Sequence, residues 1–398
     1  PLTHSPCPGG APGGPAVRSG AGQGLNQPFL ALISIIIPIA ALTYPVAIVL
    51  PKQNSDAIGL IKLSLFISTI LTIVVAIILL FFYQPITRIF QLEDISNYLF
   101  LIPVVILLAG ILQVVEQWLI RTKQFSISAK ATILQSIIVN GGKVGVGILH
   151  PVASVFSTIS HGLKASLLMI FSGISNYKGF FNSQKDKVSI KELAKRYSDF
   201  PIYRAPQVFL NAISQSLPVL MLISFFGPAS AGFYSIGRTV LTMPSQLIGK
   251  SVGDVFYPRI SEAANYGENL THLIKKATMA LAVVGAIPYG LVVIFGPQLF
   301  SLAFGTEWAT AGEYARWIAL WMYFMFINRP SVQALPVISA QSFHLKFTTV
   351  SLITRIILLA LGYYIFSSDL VAIALFGLSG AILNISLILL TIKRSENF

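Results

Sequence analysis

Apolar residues in this chain come in long blocks, and the polar residues that interrupt them recur at helical spacing. The blocks run at about 29–50, 58–83, 98–119, 127–149 and 152–172, then at 202–226, 231–256, 275–296, 315–336, 345–367 and 370–392. Each approaches or exceeds the roughly 20 residues that a helix needs to cross about 30 Å of hydrocarbon. Eleven membrane spans are therefore expected, five before and six after a hydrophilic connection at 173–200, and the expected fold class is an all-α integral membrane protein. Inside 202–226 the polar residues Arg204, Gln207, Asn211, Ser214 and Gln215 fall mostly three and four apart, on one face of a helix. The next block repeats the pattern with Tyr234, Arg238, Thr242 and Ser245. Lipid does not tolerate such stripes, because a polar group in hydrocarbon must find a partner or water. The two helices are expected to wall a hydrated cavity.

Composition sharpens this picture. Only 10% of the 398 residues are charged, against about 25% in soluble domains, so the two or three soluble domains that length alone suggests are not expected. The net charge of +13 sits mostly between the apolar blocks, where the positive-inside bias and anionic lipid headgroups account for it without nucleic acid. Placing 173–200 inside also places Lys52, Arg121, Lys123, Arg259, Lys275, Lys276, Lys346, Lys393 and Arg394 inside. The other side keeps Arg88 and Arg316 beside the acids Glu93, Asp94, Glu307, Glu313 and Asp369. The C-terminus is thus expected in the cytoplasm. A lone cysteine, Cys7, excludes an internal disulfide and a cysteine metal site. Residues 1–28, with seven Gly and six Pro and no apolar run, are expected to be disordered, and KDKVSIKELAKRY within the connection to form a short amphipathic surface helix.

Catalytic patterns are missing from the sequence: there is no Gly-rich loop followed by Lys, no GxSxG, and His150, His161, His272 and His344 fall on four segments. A membrane-embedded glycosyltransferase or polymerase would need a long loop carrying acidic or His/Arg clusters, and no loop is long enough. No cofactor or metal is expected. Charges within spans carry more information, since each costs about 2.5–3.5 kcal/mol at a helix centre. Arg238 and Arg355 lie deep, Arg355 in line with Thr348 and Ser351, and are candidates to face the cavity. Lys164 ends a stripe with Ser154, Ser157 and His161, and Lys143 shares its block with Ser136 and Asn140. Arg204, Lys130 and Lys250 lie near inner ends and suit snorkelling to the headgroups as well as a cavity. Acids are scarce: Glu116, near Gln113 and Gln117, and Asp254 are the candidates for ion coupling. Basic groups outnumber acids, so the cavity is expected to favour an anion such as a diphosphate.

The stretches FPIYRAPQ (Phe200–Gln207), AGFYSIGRTVLTMPSQLIG (Ala231–Gly249) and YPRISEA (Tyr257–Ala263), with AIVLPK (Ala47–Lys52), resemble the Wzx-type polysaccharide flippases. These belong to the multidrug/oligosaccharidyl-lipid/polysaccharide exporter superfamily. The resemblance covers roughly 29–398, and order and spacing make it more specific than any single motif. It implies a MATE-like transporter of two helical bundles, 29–172 and 201–398, joined by the cytoplasmic linker 173–200. It further implies movement of undecaprenyl-diphosphate-linked oligosaccharide units across the bacterial cytoplasmic membrane by alternating access, with H+ or Na+ as coupling ion. The implied partners are the lipid-linked oligosaccharide, membrane lipids, and a polysaccharide polymerase with its chain-length machinery. In that setting the diphosphate would meet Arg238, Arg355, Lys164 and Lys143, with Arg204, Gln207 and Asn211 nearby. The sequence departs from the family pattern where the usual first span is missing, and where Thr43 and Pro45 replace the Arg and Glu that relatives often carry around Tyr44. A cation-coupled multidrug exporter of the same superfamily is the alternative, although a site for cationic drugs should be lined by carboxylates.

Overall fold

The computed structural model describes residues 37–89, 99–147, 163–164, 166–168, 170 and 189–396. The tail 1–28, nearly all of the block 152–172, residues 173–188 of the connection and the Lys143 side chain lie outside the described residues. Thirteen helices follow one another with no strand among the described residues. The first half contains α1 (Tyr44–Ala47), α2 (Asn54–Ile89), α3 (Ile102–Arg121), α4 (Phe125–Gly147) and the short α5 (Ile190–Arg196). The second contains α6 (Ala205–Phe226), α7 (Pro228–Pro244), α8 (Lys250–Tyr266), α9 (Leu270–Phe304), α10 (Ala309–Ile327), α11 (Arg329–Ala334), α12 (Gln341–Tyr364) and α13 (Asp369–Ser395). Six are long and apolar enough to cross a membrane: α2, α3, α6 with the turn before it, α9, α12 and α13.

Three blocks depart from continuous spans, each for a local reason. The block at 29–50 ends in a 3-10 turn and the four-residue α1, because Leu42 and Thr43 take left-handed φ values of 47° and 58° that no helix continues. The block at 231–256 divides into α7 and α8 at a π turn, Ser245–Gly249. The block at 315–336 divides at Asn328, where Pro330 starts a new helix in its first turn. A second π turn, Phe200–Arg204, opens α6. Prolines elsewhere are absorbed within helices. In α9, Pro297 removes the amide that would bond the Val293 carbonyl, and Phe295 takes non-helical angles. Arg316 of α10 then donates its Nε–H to that Val293 carbonyl at 2.9 Å, so the freed acceptor is not left bare.

Between membrane helices lipid is as apolar as the side chains, so close packing rather than water exclusion holds them. Gly296 of α9 and Gly312 of α10 show this: a Cβ on either would run into the other's backbone carbonyl. Behind them the second-half core gathers Tyr234, Tyr289, Tyr314, Trp321, Phe326 and Phe376, all nearly inaccessible. Apolar side chains at Phe66, Ile70, Ile73 and Ile77 of α2, and at Val283, Ile287 and Ile294 of α9, point outward as a lipid-facing belt. The expected amphipathic helix is represented by α5, which buries Leu193 against the glycine face of α2 at Gly59.

Candidate functional site: an arginine-lined cavity

Within the second-half bundle lies a cavity of about 440 Å³ enclosed by α6, α7, the two π turns and the helices α10 to α13. The polar face of α6 supplies Gln207, Asn211, Ser214 and Gln215, and the π turn before it supplies Arg204. From α7 come Arg238 and Thr242, and from the second π turn Ser245 and Gln246. Opposite them stand Trp321, Asn328 and Arg329, with His344, Thr348, Ser351 and Arg355 along one face of α12. Two π turns bordering one cavity are notable because wide turns of this kind recur at functional sites in helices.

Four arginines line this cavity, and none of its described lining residues is a carboxylate. How each guanidinium is held differs. Arg238 is held by one residue, donating Nη1–H to the Gln215 carbonyl at 2.5 Å and Nη2–H to Gln215 Oε1 at 2.9 Å. Arg355 is only 7% exposed and finds a single side-chain oxygen, Ser214 Oγ, at 3.5 Å. Its charge rests between two rings, with Cζ 4.9 Å from the Trp321 centroid and 5.2 Å from that of Phe376. A desolvated cation–π contact contributes about 2 kcal/mol, which holds the cation in place without neutralising it. Gly380 makes room for this stack, since a Cβ there would meet the Trp321 ring and come within 3.0 Å of Arg355 Nη2. The Nε–H groups of Arg204, Arg329 and Arg355 have no partner. A buried charge without a counter-charge is costly, and among the described lining residues no carboxylate offsets these guanidiniums.

Neutral groups complete the lining. Gln207 Nε2 donates to Thr348 Oγ1 at 3.3 Å, tying α6 to α12. Asn328 Nδ2 donates to Asn384 Oδ1 at 3.0 Å, which leaves Asn328 Oδ1 as a buried acceptor without a partner.

Of the residues singled out in the sequence, Arg204, Gln207, Asn211, Arg238 and Arg355 come together here. Lys164 does not join them: its ammonium pairs with Glu116 at 2.6 Å, both largely shielded. Asp254 lies on α8 beside a separate cavity between α4 and α8, together with Lys250 and within electrostatic reach of Glu116, Lys164 and Arg329. Glu116 and Asp254 thus stand within electrostatic reach of each other and outside the lining of the arginine cavity, although Asp254 also reaches Arg329. Lys130 is exposed. The cavity also takes in Arg329 and His344, which the sequence pattern does not single out as site residues. The signal for Arg329 was present, a guanidinium inside an apolar block beside a proline, whereas His344 resembles any isolated polar contact.

Two of the motif stretches, Phe200–Gln207 and Ala231–Gly249, line this cavity, and Tyr257–Ala263 lies beyond it on α8. A family model described as polysaccharide biosynthesis protein matches residues 31–313. The chain belongs to the polysaccharide biosynthesis protein family. No curated protein sequence matches it. Among solved structures, one similar to this chain is the outward-facing conformation of a multidrug resistance MATE family transporter of the MOP superfamily. It has a TM-score of 0.70 and 14% identity, covering 96% of this chain and 91% of that one. A MOP superfamily transporter from Pyrococcus furiosus Vc1 (DSM3638), reported for a reverse polarity of its binding pocket that suggests a different function, gives 0.70 at 14% identity, covering 96% and 89%. The bent form of the Vibrio cholerae MATE transporter VcmN gives 0.69 at 16% identity, covering 95% and 89%. The chain therefore has the all-α, multi-pass membrane fold of the MATE transporters.

Proposed function

We propose that this protein is a flippase that carries undecaprenyl-diphosphate-linked oligosaccharide units across the bacterial cytoplasmic membrane for surface polysaccharide synthesis. The observation that carries the reading is the cavity with four arginines and no described carboxylate. Guanidinium forks match phosphate oxygens two at a time, and a diphosphate offers enough oxygens for several arginines at once. Asn211, Gln207 and the Asn328–Asn384 pair offer neutral donors and acceptors for sugar hydroxyls. The prenyl chain stays in lipid, and the two bundles rock about the site in alternating access. The basic residues facing one side, with Lys393 and Arg394 ending α13, favour a cytoplasmic C-terminus. Coupling to H+ or Na+ belongs to the same reading, with Glu116 and Asp254 as the carboxylates available to it. A polymerase and its chain-length machinery would act on the delivered unit. A multidrug exporter for cations would face a repulsive site, because Coulomb forces are weakly screened in a low-dielectric cavity.

The test is complementation of a flippase-deficient strain. Arg355→Ala is expected to insert at normal levels yet abolish complementation, and Arg355→Lys to restore part of it, since Lys keeps charge but loses the fork. Cells expressing the protein should not extrude ethidium. Ethidium efflux without translocation of lipid-linked sugar would refute the flippase reading.

A further inference from the structure

One stretch of backbone is shared by both halves of the molecule. Between α1 and α2 the chain runs through Ile48–Gln53 as a non-helical strap. From the first-half side it is gripped by Arg121, the last residue of α3. Its Nη1 donates to the carbonyls of Ile48 at 3.1 Å, Val49 at 3.3 Å and Pro51 at 2.7 Å. Its Nη2 reaches Lys52 and Gln53, at 3.5 and 3.4 Å, and Asn54 Oδ1 at 3.1 Å. From the second-half side, α8 presents Tyr257, Ser261 and Asn265, spaced by four and therefore on one helix face. They donate to the carbonyls of Val46 at 2.8 Å, Val49 at 3.3 Å and Leu50 at 3.4 Å. An ion pair between Lys123 and Glu262 at 2.8 Å closes the rim. Apart from that exposed ion pair, the polar bonds from α8 across the seam are single side-chain donors on backbone carbonyls. Such a seam is tight when made and separable without leaving a buried charge.

The helix that makes these bonds is the continuation of the helix that lines the cavity. On one side of the π turn Ser245–Gly249, α7 offers Arg238 and Thr242 to the arginine cavity; on the other, α8 offers Tyr257, Ser261 and Asn265 to the strap. The π turn itself contributes Ser245 and Gln246 to the lining. A wide turn inside a helix is a place where the axis bends with little loss of hydrogen bonding.

We propose that the strap Ile48–Gln53, fixed to the first-half bundle by Arg121, is a releasable latch for α8, and that an anion in the arginine cavity works it through the α7–α8 rod. The latch is closed in this structure. On the flippase reading, and with the orientation that the basic residues favour, it shuts the cytoplasmic end of the cleft between the bundles. Filling the cavity shifts the arginine side of the rod, and the far side opens or tightens with it.

Two measurements test this, one tied to transport and one independent of it. In a Cys7→Ser background, Lys123→Cys with Glu262→Cys removes only an exposed ion pair and should still translocate lipid-linked oligosaccharide in proteoliposomes. Joining the two thiols with a short reducible bifunctional reagent should stop translocation, and reduction should restore it. Unchanged translocation by the joined protein would show that the seam does not move. The second measurement uses inorganic pyrophosphate as the probe and purified Cys7→Ser, Asn265→Cys protein. Thiol labelling of Asn265→Cys should change by about fivefold or more on adding pyrophosphate, the size of an ordinary coupling between sites, and not change in the added presence of Arg355→Ala. Labelling indifferent to pyrophosphate, in protein that binds it, overturns the latch. Protein that translocates no lipid-linked sugar but keeps the labelling response would overturn the substrate and leave the latch standing.

Discussion

Arg121 and Arg355 are the same side chain put to opposite uses. Arg121 spends its guanidinium on five backbone carbonyls and Asn54, and what it fixes is a strap of chain. Arg355 has one oxygen at 3.5 Å and two aromatic faces, so most of its hydrogen-bonding capacity stays unspent. A saturated arginine is part of the scaffold. An arginine held by rings in a cavity with no described carboxylate keeps its donors free, which is what the proposed anion site requires. The comparison teaches that counting charges in a membrane span says less than asking what each donor already touches.

Swapping both for an apolar side chain of similar length should break the comparison most visibly. Arg355→Met should cut pyrophosphate affinity of the purified protein at least about 30-fold, the loss expected when one member of a buried charge pair is removed. Its melting temperature should hold or rise, because replacing an under-partnered buried charge by an apolar group is often neutral or stabilising. Arg121→Met should do the reverse, lowering stability by about 2 kcal/mol while leaving pyrophosphate binding within a few-fold. Thermal unfolding and calorimetric titration on the same samples decide it. An Arg355→Met protein that melts earlier and binds normally would reduce Arg355 to a packing residue.

A smaller effect sharpens the role of the rings. Trp321→Leu keeps an apolar wall but removes one π face, so pyrophosphate affinity should fall by about tenfold, part of the roughly 2 kcal/mol of a desolvated cation–π contact, since Phe376 remains. Binding unaffected by this change would mean that Phe376 alone, or Ser214, sets the guanidinium position.

The smallest effect concerns an arginine with an ordinary exposed partner. Arg259 donates to both carboxylate oxygens of Glu268, at 3.1 and 2.5 Å, at the end of α8. That hydrogen bonding holds the Glu268 carboxyl below its usual range around 4.5. A depressed carboxylate adds stability that is fully present above the unfolded value and disappears as pH falls through the lower folded value. The melting temperature should therefore carry a slight acid-side decline below about pH 4.5 that Arg259→Gln removes. An identical acid limb in both proteins would show that the pair contributes nothing.

Much of this site could be read from spacing. The stripe Arg204, Gln207, Asn211, Ser214 and Gln215 needs only a helical period and an apolar background, and the structure turns all five toward one cavity. Arg238 and Arg355 followed from their depth in apolar blocks. Lys164 shows the limit: periodicity tells which face of its own helix a residue occupies, but not that Glu116 on another helix stands within 2.6 Å to pair with it. Arg329 carries one signal, a guanidinium within an apolar block, but hydropathy averages across the break at Asn328, and a short helix after a proline has no period to support it. The π turns were beyond reach for a similar reason. One extra residue in a turn changes hydrogen-bond register without changing how apolar the segment is.

Pro297 and Arg316 form a single heritable unit. With Pro297 in place, losing Arg316 would leave the Val293 carbonyl bare among membrane helices, at a cost of several kcal/mol. Restoring an amide at 297 would supply that carbonyl from its own helix and make the guanidinium dispensable. In genetic language, Pro297→Ala is the second-site suppressor to look for when Arg316→Leu impairs the protein, and a bend in α9 that is pinned from its neighbour marks a strut rather than a joint.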